Sequence, residues 1–152
     1  MASLKDRLRA ELTASMKARD ELRSSTLRLV LTAISTAEVA GKQAKALTDD
    51  DVTGVLASES KKRREAASAF ADADRAELAA KERAEAAIIA EFLPEPLTDA
   101  EIGQLVATTI AELGVAGDGP RAMGRVMGAI TPQVKGRADG GTVSAEVRRQ
   151  LG

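Results

Sequence analysis

The chain has 152 residues and a formal net charge of −1, with 44% hydrophobic and 30% charged residues. It contains no cysteine and no histidine, which excludes disulfides, thiolate nucleophiles, cysteine zinc sites and the usual general base near neutral pH. The amino terminus is charged throughout, and the longest charge-free apolar patch, residues 29–37, is too short to span a bilayer. We therefore expect a cytoplasmic protein that has no membrane contact and binds no metal or cofactor.

Two amphipathic helices are predicted at the start of the chain. Ser3 is placed to cap the first, with Asp6 at the capping-box position, and leucines then recur every four residues along one face. A break is expected near residues 19–22. The second helix carries its apolar stripe over residues 27–37, and Gly41 is placed to end it.

Two further helices complete the predicted amino-terminal domain, residues 1–93. Thr48 followed by three aspartates is a strong helix start, because the hydroxyl caps a free amide and the carboxylates oppose the positive helix end. The fourth helix, around residues 77–93, is expected to end before Pro94, since a residue that precedes proline disfavours helical torsions.

A proline-rich linker, PEPLT at residues 94–98, is predicted to join this domain to a carboxy-terminal domain, residues 99–152. Thr98 and Glu101 form a capping box for the next helix, which Gly114 closes.

Two more helices are predicted after Gly114. Pro120 suits the first turn of one of them, and Pro132 predicts a kink or an early end. The last helix is expected from about Thr142. The predicted fold class is all-α: a bundle of about four helices, the linker, and a small three-helix domain.

The carboxy-terminal third of the chain is unevenly charged. Residues 94–118 hold five acids and no base, whereas residues 119–152 hold six bases and two acids. Such a cluster can attract an anionic partner, although charge on helices more often serves as a solvated face, and both interpretations stay open here. The six candidate RNA-binding residues are Arg121, Arg125, Lys135, Arg137, Arg148 and Arg149.

The segment VKGRADGG, residues 134–141, interrupts the helical pattern just before the last helix. Gly136, Gly140 and Gly141 permit positive backbone torsions and close approach of another backbone, which would expose Lys135 and Arg137 to a phosphate. Glycines also simply end and begin helices, and Asp139 can serve as a turn or cap residue. Gly136, Asp139 and Gly140 are the predicted turn-forming residues.

No catalytic constellation emerges from the remaining residues. The aspartates at residues 49–51 are better explained as helix capping than as a magnesium site, and there is no phosphate-binding loop or serine elbow. The cations of KKRRE, residues 61–65, must spread around a helix, which favours a solvated face over a nucleic-acid contact. We expect no catalysis by this chain alone.

Several segments together resemble the GatB/YqeY family. The longest is MGRVMGAITPQVKGRADGGTVSAEVRRQL, residues 123–151, in which a methionine-glycine-basic helix leads into a KGRADG turn. STLRLVLTAI at 25–34, ESKKRREAASAF at 59–70 and EFLPEPLTDAEI at 91–102 follow the same family order. The resemblance covers nearly the whole chain and is that of a free-standing YqeY-like protein.

The resemblance implies a particular function, because in this family the same module forms the tail of the GatB polypeptide of the aspartyl/glutamyl-tRNA amidotransferase. It implies an all-helical protein that contacts tRNA, with Lys135 and Arg137 facing RNA and Gly136, Asp139 and Gly140 in the family's turn. At Gly141 the sequence departs from the many relatives that carry lysine.

Three functions follow as hypotheses. The first is a noncatalytic accessory tRNA-binding module that recognises phosphates and helix shape, since the chain has no Trp or Tyr for base stacking. The second is a helical adaptor that docks on an amidotransferase or an aminoacyl-tRNA synthetase. The third is a noncatalytic component of a carbon–nitrogen ligase with glutamine as amido-N-donor.

Overall fold

A computed structural model describes residues 2–152 of the chain. These residues form seven α-helices and one 3-10 helix, and no strand occurs among them, so the all-α prediction is confirmed. No helix in this part of the chain is long and apolar enough to cross a membrane. The helices are α1 Leu4–Lys17, α2 Glu21–Glu38, α3 Asp49–Asp72, α4 Ala76–Ala90, α5 Asp99–Leu113, α6 Met123–Val134 and α7 Gly140–Leu151, with the 3-10 helix at Gly119–Ala122.

The chain divides into two compact units, one that ends at Leu93 and one from Pro94 to Gly152. The residues of the predicted linker lie in the second unit. Within them the Leu97 N–H donates to the carbonyl of Arg137 at 2.8 Å, and the Glu95 carbonyl accepts from Arg137 Nε at 2.9 Å. The arrangement of two domains joined by a proline-rich linker stays a prediction.

Local capping chemistry sets the helix starts of the first unit. The Ser3 hydroxyl accepts from the Asp6 N–H, and Thr48 and Asp51 form a reciprocal capping box. The apolar faces of the helices then meet in one core. Its buried members are Leu4, Leu8, Leu27, Val30, Ile34, Val52, Leu56, Ile89 and Phe92.

The end of α2 differs from the prediction, because the helix stops at Glu38 and not at Gly41. The Lys45 N–H donates to the Glu38 carbonyl at 2.9 Å, so a backbone amide from the following turn satisfies a carbonyl at the helix end. The break between α1 and α2 contains Arg19 with φ of 58°.

The second unit has its own core, formed by α5, α6, α7 and the 3-10 helix. The α5 helix begins at the Thr98–Glu101 capping box and ends at Gly114, whose φ of 65° is left-handed. The buried members of this core are Ile102, Val106, Ile110, Val115, Ala122, Val126, Ile130, Val134, Val143, Val147 and Leu151.

Pro132 does not end α6 early, since the helix continues to Val134. A helical proline leaves the carbonyl four residues earlier without its hydrogen bond. Here that residue is Gly128, which is exposed, so solvent can take the place of the missing donor. Pro120 was predicted in the first turn of the sixth helix, but it lies in the separate 3-10 helix that precedes α6.

Candidate nucleic-acid interface

The junction between α6 and α7 is a tight turn that glycine makes possible. The Val134 carbonyl accepts from the N–H of Arg137 at 2.8 Å and from that of Ala138 at 3.1 Å. Lys135 has φ of −55° and ψ of 121°, and Gly136 has φ of 76°. These are the torsions of a type II turn, whose third residue needs a positive φ. The turn leaves the Lys135 side chain exposed.

Arg137 has a structural role that the sequence did not indicate. Its Nε donates to the Glu95 carbonyl, and its own carbonyl accepts from the Leu97 N–H. The side chain and the backbone of Arg137 thus both form hydrogen bonds with the start of the second unit. The residue is half-buried. No hydrogen bond from its two terminal guanidinium nitrogens to another residue in the described part of the chain is observed.

The start of α7 brings the remaining predicted turn residues together. Asp139 is the N-cap residue with extended torsions, and Gly140 is the first residue of the helix, so α7 begins two residues earlier than predicted. A Cβ added at Gly141 would meet Asp139 Oδ2 at 3.1 Å. A larger residue at position 141 therefore requires the Asp139 carboxylate to shift.

The outer face of α6 carries basic residues separated by glycine and proline. Arg125, Gly128, Pro132 and Lys135 recur every three or four residues and are all exposed, opposite the buried positions of α6 in the core. Arg125 and Lys135 make no salt bridge with any residue from 2 to 152. We call these four residues and Arg121 the α6 face.

Arg121 extends this face from the preceding 3-10 helix. Its side chain is 82% exposed, and Nη2 lies 3.6 Å from Asp118 Oδ1. An ion pair this exposed is weak, because solvent screens it and both side chains lose rotamer freedom. Arg121 can therefore exchange Asp118 for another anion at little cost.

The two arginines at the end of α7 differ from each other. Arg148 is exposed and forms no ion pair in the described residues, whereas Arg149 donates to both carboxylate oxygens of Glu146, at 2.9 and 2.5 Å. Hydrogen bonds from Arg149 and then Gln150 lower the pKa of Glu146 to about 2, and the bond to Glu146 raises the pKa of Arg149. Arg149 is thus already neutralised within its own helix.

An open groove beside α7 is lined by acidic residues and does not belong to the basic surface. Asp99, Asp139 and Glu146 line it together with Arg149. Three carboxylates around one paired arginine repel phosphate at this side of the unit. Of the six predicted RNA-binding residues, Arg125 and Lys135 are exposed on the outer side of α6, Arg121 is exposed on the preceding 3-10 helix, and Arg149 lies beside the acidic groove.

In the first unit, one cation of the KKRRE segment is not a surface group. Arg63 is buried, and it donates to Glu85 Oε2 at 3.2 Å and to Glu59 Oε1 at 3.1 Å. This ion pair joins α3 to α4. The four-residue spacing between Glu59 and Arg63 was the available signal, but nothing in the sequence connected Arg63 with Glu85.

The comparisons with known proteins agree with the resemblance seen in the sequence. The chain is 40% identical over 89 residues to an uncharacterized protein of Schizosaccharomyces pombe, an overlap of 58% of this chain and 70% of that protein. The Yqey-like protein family matches residues 5–151, which is nearly the full length. The chain therefore belongs to the YqeY-like protein family.

Proposed function

We propose that this protein is a noncatalytic accessory module that binds tRNA through phosphate and shape contacts made by the basic end of its second unit. The observation that carries the proposal is the charge pattern of residues 119–138, which hold four cations and no carboxylate. Three of those cations, Arg121, Arg125 and Lys135, are exposed on the α6 face.

The geometry supports phosphate contacts more than base recognition. The second unit, residues 94–152, has no aromatic side chain on which a base could stack. Phosphate contacts are sequence-independent and release condensed counterions, so they produce an affinity that falls steeply with salt. The first unit also has unpaired exposed cations, such as Arg64 and Arg83, but acidic residues are interspersed among them.

The test is fluorescence anisotropy of labelled tRNA titrated with the protein at about 50 and about 200 mM salt. If three phosphates are neutralised, affinity should fall by about 30-fold between the two conditions. The double variant Arg125→Gln, Lys135→Gln should bind at least about tenfold more weakly and with a smaller salt slope.

The matched control is the double variant Arg64→Gln, Arg83→Gln, which removes the same number of exposed, unpaired cations from the first unit. We expect it to bind tRNA as the wild type does. Equal losses in the two double variants would show that only net charge matters. Absence of binding by the folded wild type at the lower salt would refute the proposal.

A second candidate function, docking on an amidotransferase or an aminoacyl-tRNA synthetase, is favoured by a different surface. Leu22 and Leu29 lie two turns apart on α2 and are 36% and 48% exposed, and Val39 just beyond the helix is 64% exposed. Leu22 and Leu29 lie on the same side of α2, and an exposed apolar stripe on one side of a helix can dock on another protein. Size-exclusion chromatography with each enzyme, for the wild type and for Leu29→Gln, tests this function: the wild type should co-elute and the variant should not.

A further inference from the structure

The distance between the cations of the α6 face indicates which kind of RNA it can contact. Arg125 and Lys135 are ten residues apart, which corresponds to about 15 Å along a helix axis. The outward positions between them are Gly128 and Pro132, which carry no charge and little side chain. Two cations separated in this way do not follow successive phosphates along one strand. Their separation suits phosphates on the two strands that flank a wide groove.

The surface of α6 beside and between these cations is open to a close approach. A Cβ added at Gly124 or Gly128 would meet nothing within 4 Å, and neither residue has a positive φ. The packing and torsions of this chain therefore do not require glycine at either position. Glycine is the least favourable residue in a helix interior apart from proline, and its use here lets another molecule approach the helix backbone.

The amino-acid composition of the second unit favours binding of double-stranded RNA over single-stranded RNA. Proteins that bind single strands stack bases on aromatic side chains, and residues 94–152 contain none. Double-stranded RNA presents a wide, shallow minor groove with 2′-hydroxyls, and it is recognised by shape and by backbone contacts across that groove. A smooth helix face with cations near its two ends matches this surface.

We infer that α6 lies across the shallow minor groove of a double-stranded RNA stem, an inference that rests on the proposed function. Arg121 and Arg125 contact phosphates of one strand and Lys135 contacts the other. Gly128, which lies between these two contacts, brings the helix backbone to the 2′-hydroxyls of the groove.

The experiment compares three probes of one sequence: an RNA hairpin stem of about 16 base pairs, the DNA hairpin, and a single-stranded RNA of equal length. Anisotropy titrations of the full-length protein should give an affinity at least about tenfold higher for the RNA stem than for either other probe. Equal affinity for stem and single strand, or for RNA and DNA stems, would overturn the inference.

Two variants test the contact itself. Gly128→Gln adds bulk without charge, and we expect about a tenfold loss of affinity for the RNA stem at an unchanged salt slope. Arg125→Gln should lower affinity and also reduce the salt slope by about 0.7 to 0.9. The matched control is Ala107→Gln, which adds the same side chain at an exposed position of α5 and should leave binding unchanged.

Thermal unfolding of the Gly128→Gln protein separates a contact effect from a folding effect. Glutamine favours helix more than glycine does, so this variant should be at least as stable as the wild type while it binds more weakly. Wild-type affinity in Gly128→Gln would overturn the placement of α6 but leave the proposed tRNA function standing. Absence of binding by the wild type to tRNA and to all three probes would remove the proposed function as well.

Discussion

Replacement of Arg63 by methionine tests whether the buried ion pair between α3 and α4 stabilises the first unit. The Arg63 side chain is 11% exposed and that of its partner Glu85 is 8% exposed. Methionine is similar in length but cannot donate the bonds to Glu85 and Glu59. The substitution therefore leaves a buried carboxylate without its closest cation.

The expected loss of unfolding free energy depends on the charged groups that remain near Glu85 and Glu59. Removal of one partner of a buried pair costs about 3–5 kcal/mol, because the other charge stays desolvated. Lys81 Nζ lies 4.0 Å from Glu85 Oε1, and Lys62 Nζ lies 3.1 Å from Glu59 Oε2. These lysines partly compensate both carboxylates, so we expect a loss near 3 kcal/mol, or about 12–24 °C in Tm for a unit of this size.

The assay is urea unfolding of the full chain followed by circular dichroism, with three variants beside the wild type. Arg63→Met should lose about 3 kcal/mol, whereas Arg63→Met, Glu85→Met should recover to within about 1.5 kcal/mol because both charges are gone. Arg64→Met, which removes an exposed neighbouring cation, should change stability by less than about 0.5 kcal/mol. If Arg63→Met and Arg64→Met lose the same amount, the reasoning from burial is wrong.

Three further predictions concern the second unit. Gly136→Ala should lower stability by about 1–2 kcal/mol because φ is 76° there, whereas Gly124→Ala should raise it by up to about 1 kcal/mol; thermal melts compare the two. Thr98→Ala breaks the capping box of α5 and should cost about 1 kcal/mol, measured by urea unfolding. The folded-state pKa of Glu146 is about 2, below its usual 4.5, so its stabilising contribution is present above pH 4.5 and lost as pH falls towards 2. Glu146→Gln should therefore show a shallower loss of stability across that interval in acid titrations followed by circular dichroism.

The helices were predictable from the sequence because their signals are local. A capping hydroxyl acts on an amide three residues away, as at Thr48 and Thr98, and a left-handed glycine such as Gly114 ends a helix through its own torsions. Apolar residues at helical spacing likewise indicated the buried faces. The boundaries were less accurate at Glu38 and Gly140, where turns with their own hydrogen bonds decide the helix end or start.

The sequence by itself therefore determined the all-helical fold, the main caps and the basic character of residues 119–152. Only the tertiary structure decided which cations are available to a ligand. Arg63 meets Glu85 across 22 residues of sequence, and Arg137 meets Glu95 across 42. No local pattern encodes such contacts, because they depend on how helices pack after each has formed, and a cation's freedom to bind an anion depends on them.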